Sequence, residues 1–214
     1  MSESLAPTDR RSQRRADRRE QSRSEILDAA ERVFGEFGIH DGTLRRIALQ
    51  SGFSPAAVYL FFENKQHLLA ETVMRRSDEL ITMAQDPIHS DLSPLEQLHS
   101  YVDAAIVFFS EHPHFRQLLR HLRGGPTITW PVLAEYAEPV HARYLASMDI
   151  LASVIRTGQV RGEIRPGNDH ALAHLYTMLI NEFILLETAP ADTGFEALSS
   201  AEFHGLIDGA LRIT

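Results

Sequence analysis

The sequence predicts an all-α protein in which an N-terminal three-helix helix-turn-helix domain precedes a larger helical domain. Apolar residues recur at helical spacing in nearly every stretch bounded by Gly, Pro or Asn, and no segment alternates convincingly with the two-residue period of a strand. Helix-start and helix-stop residues also crowd together after Ser22, which calls for short helices joined by tight turns.

The first helix places Ile26, Ala29, Ala30, Val33, Phe34 and Phe37 on one face, opens with a capping box from Ser22 to Glu25, and stops at Gly38. Thr43 is the N-cap of a second helix that turns Leu44, Ile47 and Ala48 inward, and Gly52 supplies the residue able to take positive φ at its end. Ser54 followed by Pro55 starts a third helix, expected to run through Val58 to about Phe62. Asn64 caps a long fourth helix through Leu68, Leu69, Thr72, Val73, Leu80 and Met83. Beyond a polar connection bracketed by Pro87 and Pro94, helices are expected near 94–110, 113–123, 130–157, 168–188 and 199–212. The breaks between them fall at Pro113, at Gly124-Gly125-Pro126, at 158–167 and at 190–194.

A chain of 214 residues buries about 70% of its unfolded surface, enough for a substantial core. It contains 0 Cys, which excludes thiolate catalysis, Cys-ligated zinc and iron–sulfur clusters. Uninterrupted apolar runs such as Ala104 to Phe109 are far shorter than the roughly 20 residues of a membrane-spanning helix. The Arg-rich N-terminus lacks the apolar stretch of a secretory signal, so a soluble cytoplasmic protein is expected.

The net charge of −8 argues at first against a nucleic-acid partner, but the charge is segregated. Residues 1–65 hold 11 Lys+Arg against 10 Asp+Glu, a balance of +1, whereas residues 66–214 hold 10 against 19, a balance of −9. Arg10, Arg11, Arg14, Arg15, Arg18, Arg19 and Arg23 crowd a stretch with almost no apolar residues. Residues 1–21 are therefore expected to form a disordered basic arm, which either contacts nucleic acid or is merely solvated; the two alternatives differ in salt dependence.

Within the helix-turn-helix, the third helix opens with Ser54, Pro55, Ala56 and Ala57, small residues that let the backbone approach the floor of a DNA major groove. Val58, Phe61 and Phe62 turn back to the core, while Tyr59 can aim its hydroxyl at a phosphate. Thr43 and the first turn of its helix form a second anion site, with Arg45 and Arg46 close behind. Lys65, the only Lys in the chain, stands at the start of a helix, where a cation is mildly unfavourable unless an anion shares the place. A backbone phosphate is such an anion, and a simply solvated lysine is the alternative.

Thr43-Leu44-Arg45-Arg46-Ile47-Ala48, then Ser51-Gly52-Phe53-Ser54, then Val58-Tyr59-Leu60-Phe61-Phe62-Glu63-Asn64-Lys65-Gln66-His67-Leu68 resembles the DNA-binding signature of the tetracycline-repressor (TetR) family. Tyr59, Phe62, Lys65 and Leu68 carry its spacing, and the resemblance spans about residues 22–72. Phe53 stands where a smaller Val is frequent, and Phe61 where His or Tyr is common, so a phosphate contact from Phe61 is not expected. The resemblance implies a ligand-responsive, sequence-specific transcriptional regulator, a repressor by family habit. Its domains would be a helix-turn-helix over 22–66 and a ligand-binding and dimerisation domain over 67–214. The implied partners are a pseudo-palindromic double-stranded DNA operator, a small-molecule effector and a second copy of the chain, paired through helices near 168–188 and 199–212.

For the effector, the candidate wall residues are Phe108, Phe109, Phe115, Leu119, Trp130, Tyr136, Tyr144, Met148 and Phe183, although aromatic residues at helical spacing are more often plain core. No metal or other cofactor is expected: His112 with His114 and His170 with His174 lack the companions of a zinc site. Arg116, Arg120 and Arg123 could hold an acidic effector group or form a surface stripe. No nucleophile elbow, Walker loop or dinucleotide motif is present, so catalysis is not expected. An all-helical enzyme and a non-specific DNA-coating protein are the rival readings.

Overall fold

The computed structural model describes residues 7–85, 91–122, 131–187 and 198–213. Among them the chain is all-α, with no strand beyond one isolated bridge between Ile164 and Arg212. The helices are α1 (Pro7–Asp41), α2 (Leu44–Ser51), α3 (Pro55–Val58), α4 (Lys65–Gln85), α5 (Pro94–Glu111), α6 (Pro113–Leu122), α7 (Ala137–Val160), α8 (Asp169–Glu187) and α9 (Ser200–Leu211), with a 3-10 helix at Pro131–Tyr136 before α7. The breaks expected at Pro87, Gly124-Gly125-Pro126 and 190–194 lie outside the described residues.

The chain divides into two compact units. One combines Met1–Thr72 with Gln117–Tyr136, the other Val73–Arg116 with Ala137–Thr214. In the first, α1 contributes Ile26, Leu27, Ala29, Ala30, Val33 and Phe34 to a core completed by Ile47 and Ala48 of α2, Val58 of α3, and Leu68 and Leu69 of α4. The periodicity of α1 thus identifies its buried face, except at Phe37. That ring is partly exposed and lies under the guanidinium of Arg46, 4.4 Å from its centroid. At Gly38 (φ 75, ψ 175) the backbone leaves helical geometry, so the first helix stops where the sequence places its end and a separate turn follows to Asp41.

Residues 7–21, where the sequence suggests a disordered arm, are helical and continuous with α1. Arg, Gln, Glu and Ala are good helix formers, and side-chain bonds from Gln13 to Asp17 (2.9 Å) and from Gln21 to Glu25 (3.1 Å) brace successive turns. Low apolar content suggests that nothing could order the segment, but a helix propagating outward from a buried one has no nucleus to form.

In the second unit α5 packs against α7, α8 and α9, and α7 against α8. Ser93 and Glu96 close a reciprocal capping box at the start of α5, and Ser199 and Glu202 do the same for α9. The core holds Leu98, Val102 and Ala105 of α5, Leu151, Ala152 and Ile155 of α7, Ala173, Tyr176 and Ile180 of α8, and Phe203 and Ile207 of α9. Tyr176 donates its hydroxyl proton to the Leu98 carbonyl across the α5–α8 contact. Burial pushes the neighbouring Tyr101 up to about 12, so both rings stay protonated structural members.

Candidate DNA-binding surface

The turn between α2 and α3 follows from its caps. Thr43 accepts the N–H of Arg46 at 3.3 Å, and Gly52 adopts φ 75, ψ 13 as the C-cap of α2. That left-handed geometry lets the N–H of Phe53 reach the Ala48 carbonyl at 3.0 Å and throws the chain round within four residues. Ser54 then accepts the N–H of Ala57 at 3.1 Å, and Pro55 occupies the first helical position.

The third helix is shorter than expected, ending at Val58 rather than near Phe62. Beyond it three-residue bonds appear, from the N–H of Leu60 to Ala57 O (3.1 Å) and of Phe61 to Val58 O (3.0 Å), beside one four-residue bond from the N–H of Phe62 to Val58 O (3.0 Å). The tightening accommodates two demands that one long helix could not meet: Phe62 is driven into the core, and Asn64 must cap α4, which it does by accepting the N–H of His67 at 2.7 Å.

Val58 is fully buried and anchors α3, while Ser54, Pro55 and Ala56 are exposed and Ala57 partly so. Tyr59 is 56% exposed and Leu60 74%, so the hydroxyl of Tyr59 faces solvent beside the small leading residues. Leu49 of α2, which the sequence did not single out, is 84% exposed. Phe61 is only half-buried, against the expectation that it faces the core, and the Arg19 guanidinium sits 5.4 Å from its ring centroid.

Arg45 is exposed, and Arg46 is exposed but laid over Phe37. Lys65 also has a role inside the fold. Its ammonium donates to the carbonyls of Ile39 (2.9 Å) and His40 (3.3 Å), which are orphan acceptors at the end of α1. With three N–H donors, the ammonium can make both bonds and keep one for an outside anion. Arg23 of α1, notable in the sequence only for its charge, stands 5.5 Å from the Phe62 centroid and pairs with Glu71 at 2.6 Å. It fixes the start of α4 from the other side. A sequence signal for such contacts is the helical spacing of Arg15, Arg19 and Arg23, which only becomes visible once the arm is read as helix.

The candidate effector residues fall in both compact units. Phe108, Phe109 and Phe115 form an aromatic cluster, with Phe109 and Phe115 stacked at 6.0 Å. Met148 is buried beside Thr177, Phe183 stacks on Phe203 at 4.3 Å, and the Tyr144 hydroxyl is paired with His174. Leu119 is half-buried, Tyr136 stacks on His67 at 5.4 Å, and Trp130 lies outside the described residues. A shallow open cleft is lined by Asp78, Glu79, Thr82 and Met83, none of them among the nine.

Three of the four histidines that stand out in the sequence, His112, His170 and His174, have local partners, whereas Nδ1 of His114 is buried without a hydrogen bond. His112 contacts the Phe108 carbonyl, and His170 lies between Asp149 and Asp169 at 2.9 and 2.8 Å. Among the described residues no three His, Cys, Asp or Glu side chains gather as a metal site would require. Arg116 reaches the Phe109 carbonyl, Arg120 is exposed, and Arg123 lies outside the described residues.

Comparison with known proteins bears on this surface directly. The sequence profile of the bacterial regulatory proteins of the tetR family matches residues 26–72, the segment from the core of α1 into α4. The HTH-type transcriptional regulator UidR of Escherichia coli is 20% identical over 190 residues, covering 89% of this chain and 93% of UidR. The HTH-type transcriptional repressor NicS of Pseudomonas putida is 25% identical over 168 residues, covering 77% of this chain and 75% of NicS. Among solved structures, the regulator FadR from Bacillus subtilis in complex with stearoyl-CoA has a similar fold, with TM-score 0.72 at 20% identity, covering 86% of this chain and 96% of FadR. The tetR-family match over residues 26–72 marks the helix-turn-helix as the DNA-binding part of a transcriptional regulator. Residues 26–72 thus carry the DNA-binding segment of the tetR family of bacterial regulatory proteins. Among the described residues no helix is long and apolar enough to cross a membrane.

Proposed function

We propose that the chain is a homodimeric repressor that holds a pseudo-palindromic operator with two copies of α3 and releases it when a small molecule binds the C-terminal unit. The observation that carries this reading is the α3 leading edge: small, exposed Ser54, Pro55 and Ala56 on a helix pinned by buried Val58, with the Tyr59 hydroxyl free beside them. Small groups admit the backbone to the groove floor, and a phenol at the margin reaches a phosphate. Thr43, Arg45, Arg46 and the spare N–H of Lys65 supply further backbone contacts, while Ala57 packs the inner side of the same edge.

Dimerisation is supported by the apolar residues that α8 and α9 leave exposed, Leu175 at 59% together with Leu179, Leu186 and Leu206. Gly205 and Gly209 of α9 have open space where a Cβ would stand, which suits close approach of another helix. Two heads would meet successive major grooves about 34 to 36 Å apart. Repression is the output that the printed name of NicS states for that protein, and FadR was solved with stearoyl-CoA; here the apolar cluster of Phe108, Phe109 and Phe115 favours an effector with an apolar part. Such an effector shifts the operator equilibrium only by its differential affinity for the two head spacings. The protein would act in the cytoplasm, where operator DNA lies.

A gel-shift titration with the DNA upstream of the protein's own gene tests this reading. It expects saturable, salt-sensitive binding that weakens in Tyr59→Phe. No shift, or a shift equal on scrambled DNA, would count for an enzyme or a non-specific coating protein instead.

A further inference from the structure

The helical form of the N-terminal segment changes what its arginines can do. Successive residues turn by about 100° on a helix, which places Arg11, Arg14, Arg15, Arg18, Arg19 and Arg23 of α1 within one half of the circumference and Asp17 and Glu20 on the other. The acidic half is internally engaged, with Gln13 bonded to Asp17 at 2.9 Å. Along the basic half, Arg11/Arg15, Arg14/Arg18, Arg15/Arg19 and Arg19/Arg23 stand four residues apart as like charges, a pattern that disfavours the helix unless an anion answers it.

The inner end of this face is docked at the reading surface. Arg19 lies on Phe61 and Arg23 on Phe62, the two residues that follow exposed Tyr59 and Leu60, and Arg23 is also held by Glu71. Moving outward from that anchor, Arg18, Arg15, Arg14 and Arg11 are all exposed and continue the same side of the helix, about 18 Å from Arg23 to Arg11.

We propose that the Arg11-Arg14-Arg15-Arg18 face of α1 is a second DNA site, which binds backbone phosphates of the duplex flanking the bases that α3 reads. The site rests on the DNA-binding reading above and extends it. A membrane surface is a poorer match, since a helix lying in lipid needs an apolar half, and the half opposite these arginines carries Gln13, Asp17 and Glu20. Phosphates confer no base preference, so the face lengthens the footprint and adds affinity without changing the sequence selected.

The test uses the full chain and a duplex recovered by the wild-type protein from a random DNA pool, prepared with long flanks and also trimmed to the selected core. Changing Arg11, Arg14, Arg15 and Arg18 together to Gln, which has similar helix propensity, should reduce the steepness of log K against log salt by about 3 to 4 per protomer. It should also shorten the hydroxyl-radical footprint and abolish the advantage of the long flanks, while the same core is selected. The fourfold Arg→Lys protein should keep the slope. A Gln variant with wild-type slope and footprint, and helicity intact by circular dichroism, overturns the second site alone. So does a Gln variant whose only loss is binding to phosphatidylserine vesicles. Failure of the wild-type protein to enrich any duplex overturns the DNA-binding reading itself, and the second site with it.

Discussion

Ser54 serves two purposes that substitution can separate. Its hydroxyl caps α3, and its exposed position lies at the leading edge. Ser54→Ala should cost about 1 kcal/mol of stability, read from urea denaturation. Ser54→Asp should keep the cap and the stability but abolish operator binding, because it sets a carboxylate against the phosphates; a variant that binds as well as wild type would remove Ser54 from the interface. Lys65 is the residue whose role the sequence shows least completely. The spacing that identifies it is sound, but the carbonyls of Ile39 and His40 come from the end of α1, and no local pattern announces a contact between residues so far apart in the chain. Lys65→Ala should lower stability by about 1 to 2 kcal/mol, since charged hydrogen bonds to otherwise orphan carbonyls are lost. An unchanged denaturation midpoint would show those bonds to be idle in solution.

At the scale of elements, most caps were legible and lengths were not; the capping box expected at Ser22 and Glu25 falls inside α1. Thr43, Gly52, Ser54 and Asn64 each act at the helix end where the sequence places them, because capping is decided by a few neighbouring backbone groups. The end of α3 escaped the same logic. Val58 and Phe62 fit one helical face by spacing, yet tertiary burial of Phe62 and the demand of the Asn64 cap shorten the helix. The start of α1 escaped for the opposite reason, since low apolar content conceals the propensity of an Arg-, Gln- and Glu-rich run to continue an existing helix. The junction of α7 with the start of α8 offers a pH test. His170 is raised above 6.5, chiefly by its bond to Asp149 and then by Asp169, and Asp169 is held down to about 2 by His170 and Arg156. The imidazolium's contribution is complete below 6.5 and fades as pH rises through the raised value; that of Asp169 is present above 3.8 and fades as pH falls toward 2. NMR titration should place the His170 midpoint above 6.5 in the wild type and lower in Asp149→Asn. Equal midpoints would mean that the pair does not form.

At the scale of the whole molecule, the net charge of −8 misleads because its sign is not shared evenly. The segment matched by the tetR-family profile has fixed spacings, so its place in the chain was readable from residues alone. The effector residues expected from the sequence rest on a weaker signal. Aromatic residues mark core and pocket alike, and Phe108, Phe109 and Phe115 pack on one another while Phe183 packs on Phe203. Dimerisation is tested by placing a charge where α8 exposes leucine. Leu175→Glu should leave the fold intact and convert the protein to a monomer in sedimentation, whereas a dimer that survives would move the interface elsewhere. The most direct test of the central claim, that the leading edge of α3 reads bases, is selection from a random duplex pool by the wild type and by Ala56→Asn. The wild type should enrich a pseudo-palindrome with half-sites about one helical turn or a multiple of it apart, and Ala56→Asn should enrich a different base at the same position in each half. Identical selected sequences from the two proteins would contradict it.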